Sequence, residues 1–169
     1  GSDFNDTLTG NSGNNSFSGG LGNDLIDGGA GRDTINYTTS TGAVSVTLTN
    51  AVGGHTGGTS SGGDGVDTLV DIEDIVGSDF NDVLTGNSSD NTISGGLGND
   101  VLDGRGGNDT LSGGSGNDRF VFSDGGGSDI ISDFLHGQND VIDLRGLTGF
   151  YDLASVLSVA TQNGVNTVL

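Results

Sequence analysis

Gly19-Gly20-Leu21-Gly22-Asn23-Asp24-Leu25-Ile26-Asp27, GGLGNDLID in one-letter code, is followed at once by GGAGRDTIN over Gly28–Asn36. Each run places glycine first, second and fourth, aspartate sixth and an aliphatic residue eighth. A helical stripe needs an apolar residue every three or four positions, so one per unit excludes helix here. Glycines supply positive φ and close backbone approach, while the closing triplet, such as Leu25-Ile26-Asp27, suits a very short strand whose middle residue points inward. Each unit reads as a turn plus a strand.

The period extends on both sides. Gly1–Asn36 divides into GSDFNDTLT, GNSGNNSFS, GGLGNDLID and GGAGRDTIN; Gly77–Val121 divides into GSDFNDVLT, GNSSDNTIS, GGLGNDVLD, GRGGNDTLS and GGSGNDRFV. The eighth position is apolar throughout: Leu8, Phe17, Ile26 and Ile35, then Leu84, Ile93, Leu102, Leu111 and Phe120. The sixth is Asp or Asn throughout: Asp6, Asn15, Asp24 and Asp33, then Asp82, Asn91, Asp100, Asp109 and Asp118. Residues 1–34 align without gaps on 77–110, as an internal duplication would.

Two units return the chain to its starting side, giving a flattened coil whose turns stack at the strand spacing of about 4.8 Å. Every unit then lies over the one two places earlier. The sixth-position carboxylates form two ladders of close negative charge, one along each edge, and such ladders are tolerable only with cations between the rungs.

Composition points the same way. The 169 residues hold four Arg and no Lys against 23 acidic residues, for a net charge of -19, and only Glu73 among the acids is not Asp. Without a basic patch the chain has no means of neutralising phosphate, which argues against nucleic acid and anionic membrane surfaces as partners. Short carboxylates held in tight turns are instead a metal-site preference. Cys is absent, so neither a disulfide framework nor a thiolate site is available. No apolar run approaches membrane-spanning length.

Enzyme chemistry has no foothold in these residues. Glycoside hydrolysis needs one distinguished carboxylate pair, whereas these carboxylates recur equivalently. G-x-S-x-G and H-E-x-x-H motifs are lacking, and a P-loop has no Lys to use. His55, in a Gly/Thr stretch, and His136 read as solvated side chains.

GGxGxD followed by x, an apolar residue and x resembles the calcium-binding nonapeptide of RTX proteins. The resemblance implies an all-β fold, a right-handed parallel β-roll that is a β-helix-like solenoid, binding Ca²⁺ between a turn and the turn one coil above. It implies ligation by the sixth-position side chains paired as Asp6 with Asp24, Asn15 with Asp33, Asp82 with Asp100, Asn91 with Asp109, and Asp100 with Asp118. Carbonyls of the glycine region complete the implied sites: Gly19, Gly20, Gly22, Gly28, Gly29 and Gly31 in the first block, and Gly95, Gly96, Gly98, Gly104, Arg105, Gly107, Gly113, Gly114 and Gly116 in the second. About four to eight calcium ions are expected. Asn15 and Asn91 depart from the pattern and carry less charge. Phe4, Phe80 and Ser89 at the fourth place, and Arg105 at the second, also depart, which puts the first turn of each block in question as a complete site; Asp3 and Asp79 are alternative ligands there.

One buried aliphatic residue per unit is a small return for ordering a glycine-rich backbone, so the metal-free chain is expected to be disordered and the calcium form folded. By resemblance, the protein leaves a bacterium unfolded through type I secretion machinery and folds outside, secreted or on the cell surface.

The chain is expected to divide into a repeat block over 1–36, a β insert or linker coil over 37–76, a second block over 77–121 and a capping segment over 122–169. Val44, Val46 and Leu48 alternate with polar neighbours as a half-buried strand does. Asn50–Val66 reads as a mobile loop, and Asp67–Ser78 as a coil leading into the second block. Asp129, as a sixth-position residue shifted by two inserted residues, pairs with Asp109, and Asp133 is a further candidate ligand. Tyr151–Thr161 reads as one short capping helix over the open end of the roll, with a closing hairpin and secretion signal expected beyond Leu169. Two uses fit such a piece: an accessory module of a secreted hydrolase or epimerase, or a structural element of an adhesin or S-layer-type protein, with cell-surface or glycan contact through the insert.

Overall fold

The computed structural model describes residues 1–52, 55–135, 138–148, 161–163 and 166–168. Among them every extended regular element is a strand, and none is a helix long and apolar enough to cross a membrane.

The first four strands are the closing triplets of the first four units: β1 (Thr7–Thr9), β2 (Ser16–Phe17), β3 (Leu25–Asp27) and β4 (Thr34–Asn36). β5 (Val44–Val52), β6 (His55–Gly62), β7 (Gly65–Val70) and β8 (Asp74–Val76) follow. The later repeats supply β9 (Val83–Thr85), β10 (Thr92–Leu97), β11 (Val101–Asp103), β12 (Thr110–Ser115) and β13 (Arg119–Ser123). β14 (Ile130–Ile131), β15 (Val141–Gly146), β16 (Thr161–Asn163) and β17 (Asn166–Val168) end the chain.

Successive strands go to opposite sides, except that β5–β7 share one sheet and β16 and β17 the other, forming a nine-stranded sheet in the order β1-β3-β7-β6-β5-β9-β11-β13-β15 and an eight-stranded sheet in the order β2-β4-β8-β10-β12-β14-β17-β16. Within the repeats the pairing is parallel and set by the eighth position. Leu8 lies opposite Ile26, and Leu84, Leu102, Phe120 and Ile142 follow one another in the first sheet. Phe17, Ile35, Ile75, Ile93, Leu111 and Ile131 do so in the second. The two lines meet between the sheets and make a single core one side chain deep on each face, with Ile26, Ile35, Leu84, Ile93, Leu102, Leu111 and Phe120 fully buried.

Asn50–Val66 is not the loop expected. β5, β6 and β7 form an antiparallel meander inside the first sheet, with β7 resting on β3 and β5 on β9. The strand β6, HTGGTSSG, carries no apolar alternation because the places it turns to the core are Gly58, between Leu48 and Leu69, and Ser60, whose hydroxyl donates to Asp67. A Cβ on Gly58 would lie 2.8 Å from the Thr47 carbonyl oxygen and 3.2 Å from the Leu48 side chain, and the missing alternation hid the strand. The expected helix over Tyr151–Thr161 lies outside the described residues except for Thr161, which begins β16. His136 also lies outside them.

Candidate metal centre

Above the first coil, the sixth-position side chains reach back one coil. Oδ1 of Asp24 accepts the backbone N–H of Asp6 at 2.8 Å, and Oδ1 of Asp33 that of Asn15 at 2.7 Å. The same bond joins Asp100 to Asp82 at 2.8 Å, Asp109 to Asn91 at 2.7 Å and Asp118 to Asp100 at 2.9 Å. All five implied pairs are thus stacked in adjacent layers, and one oxygen of each upper residue is committed to the layer beneath it.

The oxygen that faces its own turn sorts the turns into two kinds. In four turns it is satisfied locally: Ser2 N–H and hydroxyl donate to Oδ2 of Asp6, Ser78 N–H and hydroxyl to Oδ2 of Asp82, and Asn11 and Asn87 N–H to the single amide oxygens of Asn15 and Asn91. In the remaining five this oxygen, Oδ2 of an aspartate, has no donor. Among the described residues six buried side-chain N or O atoms lack a hydrogen-bond partner, and five of them are Oδ2 of Asp24, Asp33, Asp100, Asp109 and Asp118. A buried polar atom left unpaired costs about 1–3 kcal/mol and more when charged, so five in register mark a missing partner rather than chance.

The backbone hand at the second position separates the two kinds without exception. Gly20, Gly29, Gly96 and Gly114 have positive φ, as does Arg105 at 67°, and these precede the five unpartnered carboxylates. Ser2, Asn11, Ser78 and Asn87 are not among the residues with positive φ, and their N–H groups bond the side chain four residues ahead. Arg105, a departure in sequence, therefore behaves as a glycine does, accepting left-handed strain of about 1–2 kcal/mol.

The first-position glycines close each cradle. A Cβ on Gly19, Gly95, Gly104 or Gly113 would lie 2.1, 2.2, 2.0 or 2.3 Å from Oδ2 of the same turn's aspartate. No group of three or more His, Cys, Asp or Glu side chains converges among the described residues. A cation held by these turns would therefore take carboxylates from two layers and glycine-region carbonyls, an all-oxygen set that suits Ca²⁺. When bound it would supply the positive charge that the unpartnered oxygens lack.

Burial and like-charge neighbours raise the acids of the second block. Asp100 is pushed up to about 7, first by burial and then by Asp82 and Asp118, against the N–H bond from Asp82. Asp109 is pushed up to about 7, again first by burial, with Asp129, Asp90 and Asp103 adding to it. Asp118 and Asp129 are raised mainly by burial, as is Glu73. The unfolded carboxyl titrates near 3.9, so folding without metal takes up protons, and the metal-free fold loses stability as pH rises from about 4 to 7. Calcium that folds disordered turns meets carboxyls already ionised above about pH 5, so the calcium midpoint is expected to be the same at pH 8 and at pH 6. Titrations at the two values check this, and a midpoint clearly higher at pH 6 would show that protons hold the turns folded before calcium arrives.

Asp129 accepts the N–H of Asp109 at 2.9 Å and so occupies a sixth-position place despite a longer connection. Asp133 sits elsewhere: Oδ1 accepts Gly113 N–H at 3.0 Å, and Oδ2 accepts Gly114 N–H at 2.8 Å and the Ser112 hydroxyl at 2.6 Å, so both its oxygens are committed to one turn. His55 pairs with Asp71 and is raised by that hydrogen bond.

Four features escaped the reading of the sequence. Gly62–Val70, GGDGVDTLV, is a complete nonapeptide inside the insert, and its Asp67 accepts the N–H of Asp24 at 3.0 Å. Glu73 takes the corresponding place above Asp33, whose N–H it accepts at 2.8 Å. Asp140 takes it above Asp118 at 3.1 Å, and its surroundings, NDVID, match the NDVLD of an ordinary unit. At the fifth position, Asn5, Asn23, Asn81, Asn99 and Asn108 run a second amide ladder outside the first, with Asn23 N–H donating to Asn5 and Asn99 N–H to Asn81. The recurrence of Asn before the sixth-position acid was its signal.

The family described as RTX calcium-binding nonapeptide repeat matches the chain in four stretches, over residues 1–35, 61–102, 85–120 and 104–132, together more than half of it. The second stretch takes in Gly62–Val70. No curated protein matches the chain.

Proposed function

As a chain that belongs to the RTX calcium-binding nonapeptide repeat family, this protein is a calcium-binding module, and we propose that calcium is the switch that folds it. The observation that carries the proposal is the set of five buried, unpartnered Oδ2 atoms at Asp24, Asp33, Asp100, Asp109 and Asp118. These turns are taken as the principal sites, held by the aspartate of the turn, the side chain one coil away and carbonyls of the first-, second- and fourth-position residues. Asp129 and Asp140 extend the ladders. The roll is taken as right-handed, the hand that parallel crossovers adopt in nearly all cases.

The biological setting follows from the same physics. Where calcium is scarce, stacked carboxylates repel and the thin core does not compensate; where it is plentiful, the turns close. Such a chain reaches a type I secretion channel with its cation-dependent turns unfolded and completes its structure outside the cell, supporting the folding and stability of the secreted bacterial protein it belongs to. A place within an adhesin or S-layer-type protein uses the same switch, and the insert, lying within the sheet as β5–β7, favours a structural role for it over a ligand-presenting loop.

Isothermal calcium titration with circular dichroism read in parallel tests the switch. Chelator-treated protein is expected to show a markedly weakened β signal, with calcium restoring it as heat is exchanged. Unchanged dichroism in EGTA would sink the proposal.

A further inference from the structure

We propose that the middle of the roll, Tyr37 with β5–β8 and the Ser78 turn, is a girdle that stays folded without calcium, and that the cation-dependent turns on either side fold onto it. The inference rests on the calcium reading above, and adds that the response is confined to two separate groups of turns.

Asp67 is the key rung. It belongs to a complete nonapeptide and stacks on Asp24, yet its carboxylate is saturated by protein donors. Oδ1 takes the Asp24 N–H, while Oδ2 takes the Tyr37 hydroxyl at 2.9 Å and the Ser60 hydroxyl at 2.8 Å. All three groups are buried, with Asp67 only 1% exposed. Two hydroxyl protons stand where the neighbouring turns leave an oxygen bare. Nothing at this rung calls for a cation.

The turns that follow the meander, at Ser78 and Asn87, are closed as well. Asp82 is held by Val44 N–H at 2.8 Å and by the Ser78 N–H and hydroxyl. Asn91 carries no charge, accepts Asn87 N–H and donates to Glu73 O at 2.7 Å. On the other edge Arg32 grips Asp74 through Nε at 2.8 Å and Nη2 at 2.6 Å, and also reaches Asp90 O and the Thr92 hydroxyl, tying three layers together with a charge the protein itself provides.

Local structure is also richer here. Roll strands pair over two or three residues in most layers, such as β1 with β3 and β2 with β4, whereas β6 pairs with β7 over six consecutive residues. Tyr37, Val44, Val46, Leu48, Leu69, Ile72 and Ile75 give this part of the core several buried side chains per layer instead of one per strand. More buried apolar surface and longer ladders offset the ordering of the chain where cations do not.

Amide hydrogen exchange of the full chain, read by peptide in EGTA and in calcium, tests the girdle. Expected in EGTA is protection retained over 44–49, 57–62 and 66–76 and lost over 24–36 and 100–121, with calcium restoring the latter two. Tyr37→Phe, and independently Ser60→Ala, each strip a donor from Asp67; both are expected to lose the chelator-resistant protection while calcium-loaded 100–121 stays protected. If all segments lose protection together at one calcium concentration, the girdle is overturned and the calcium switch stands. If no segment responds to calcium, both fall.

Discussion

Gly116→Ala is expected to destabilise the calcium-loaded protein by about 2–5 kcal/mol, from left-handed strain and forced separation of layers. Gly116 has a φ of 144°, and a Cβ there would lie 1.6 Å from the carbonyl oxygen of Gly98 in the layer below. Backbone cannot swing aside as a side-chain tip can, so the coil itself must open. Two controls separate the causes. Gly125 has a φ of 83° with nothing within 4 Å of the added atom, so Gly125→Ala should cost only the strain, about 1–2 kcal/mol. Gly13 lacks a positive φ and meets only the Asn11 side chain at 3.2 Å, so Gly13→Ala should stay within about 0.5 kcal/mol of the parent. Denaturant midpoints in saturating calcium give the order, and equal costs at 116 and 125 would show that the layers are not pressed together as described.

Asp100→Asn is expected to remove a calcium ion from the stoichiometry, with a loss of about 3 kcal/mol of stability at a hundredfold excess of calcium over its dissociation constant. The amide keeps an oxygen for the Asp82 N–H, so the layer contact survives and the lost charge is isolated. Asp82→Asn, at an equivalent place in the repeat, should leave the stoichiometry unchanged, because the Ser78 turn already satisfies Asp82. Calorimetric stoichiometry decides; the same ion count lost by both variants would refute the division into two kinds of turn.

Much of the roll was legible because its signal is local and repeated. The apolar eighth position fixes which residue of each strand faces inward, and the interval between units fixes the parallel partner, so Leu8 against Ile26 and Ile93 against Leu111 could be read without tertiary information. The site was legible to the same depth: the acids that stack are the sixth-position ones. Which of them lack a partner was not, since that depends on the hand of the second residue, and Arg105 takes a glycine's conformation that its side chain does not advertise. The meander was hidden for a different reason. β6 has Gly58 and Ser60 where an alternating strand would show apolar residues, and its partners come from pairing that no short window contains. GGDGVDTLV escaped because it stands alone, with a shortened unit, DIEDIV, after it.

Between β3 and β9 the first sheet crosses four strand intervals, by way of β7, β6 and β5, while between β4 and β10 the second crosses two, by way of β8. At about 4.8 Å per interval, one wall is longer than the other by about 10 Å. Walls of unequal length are expected to bend the axis of the stack, with the longer wall on the outside of the arc, so that the coils on the two sides of the meander point along different directions. The meander would then set an angle as well as a spacing.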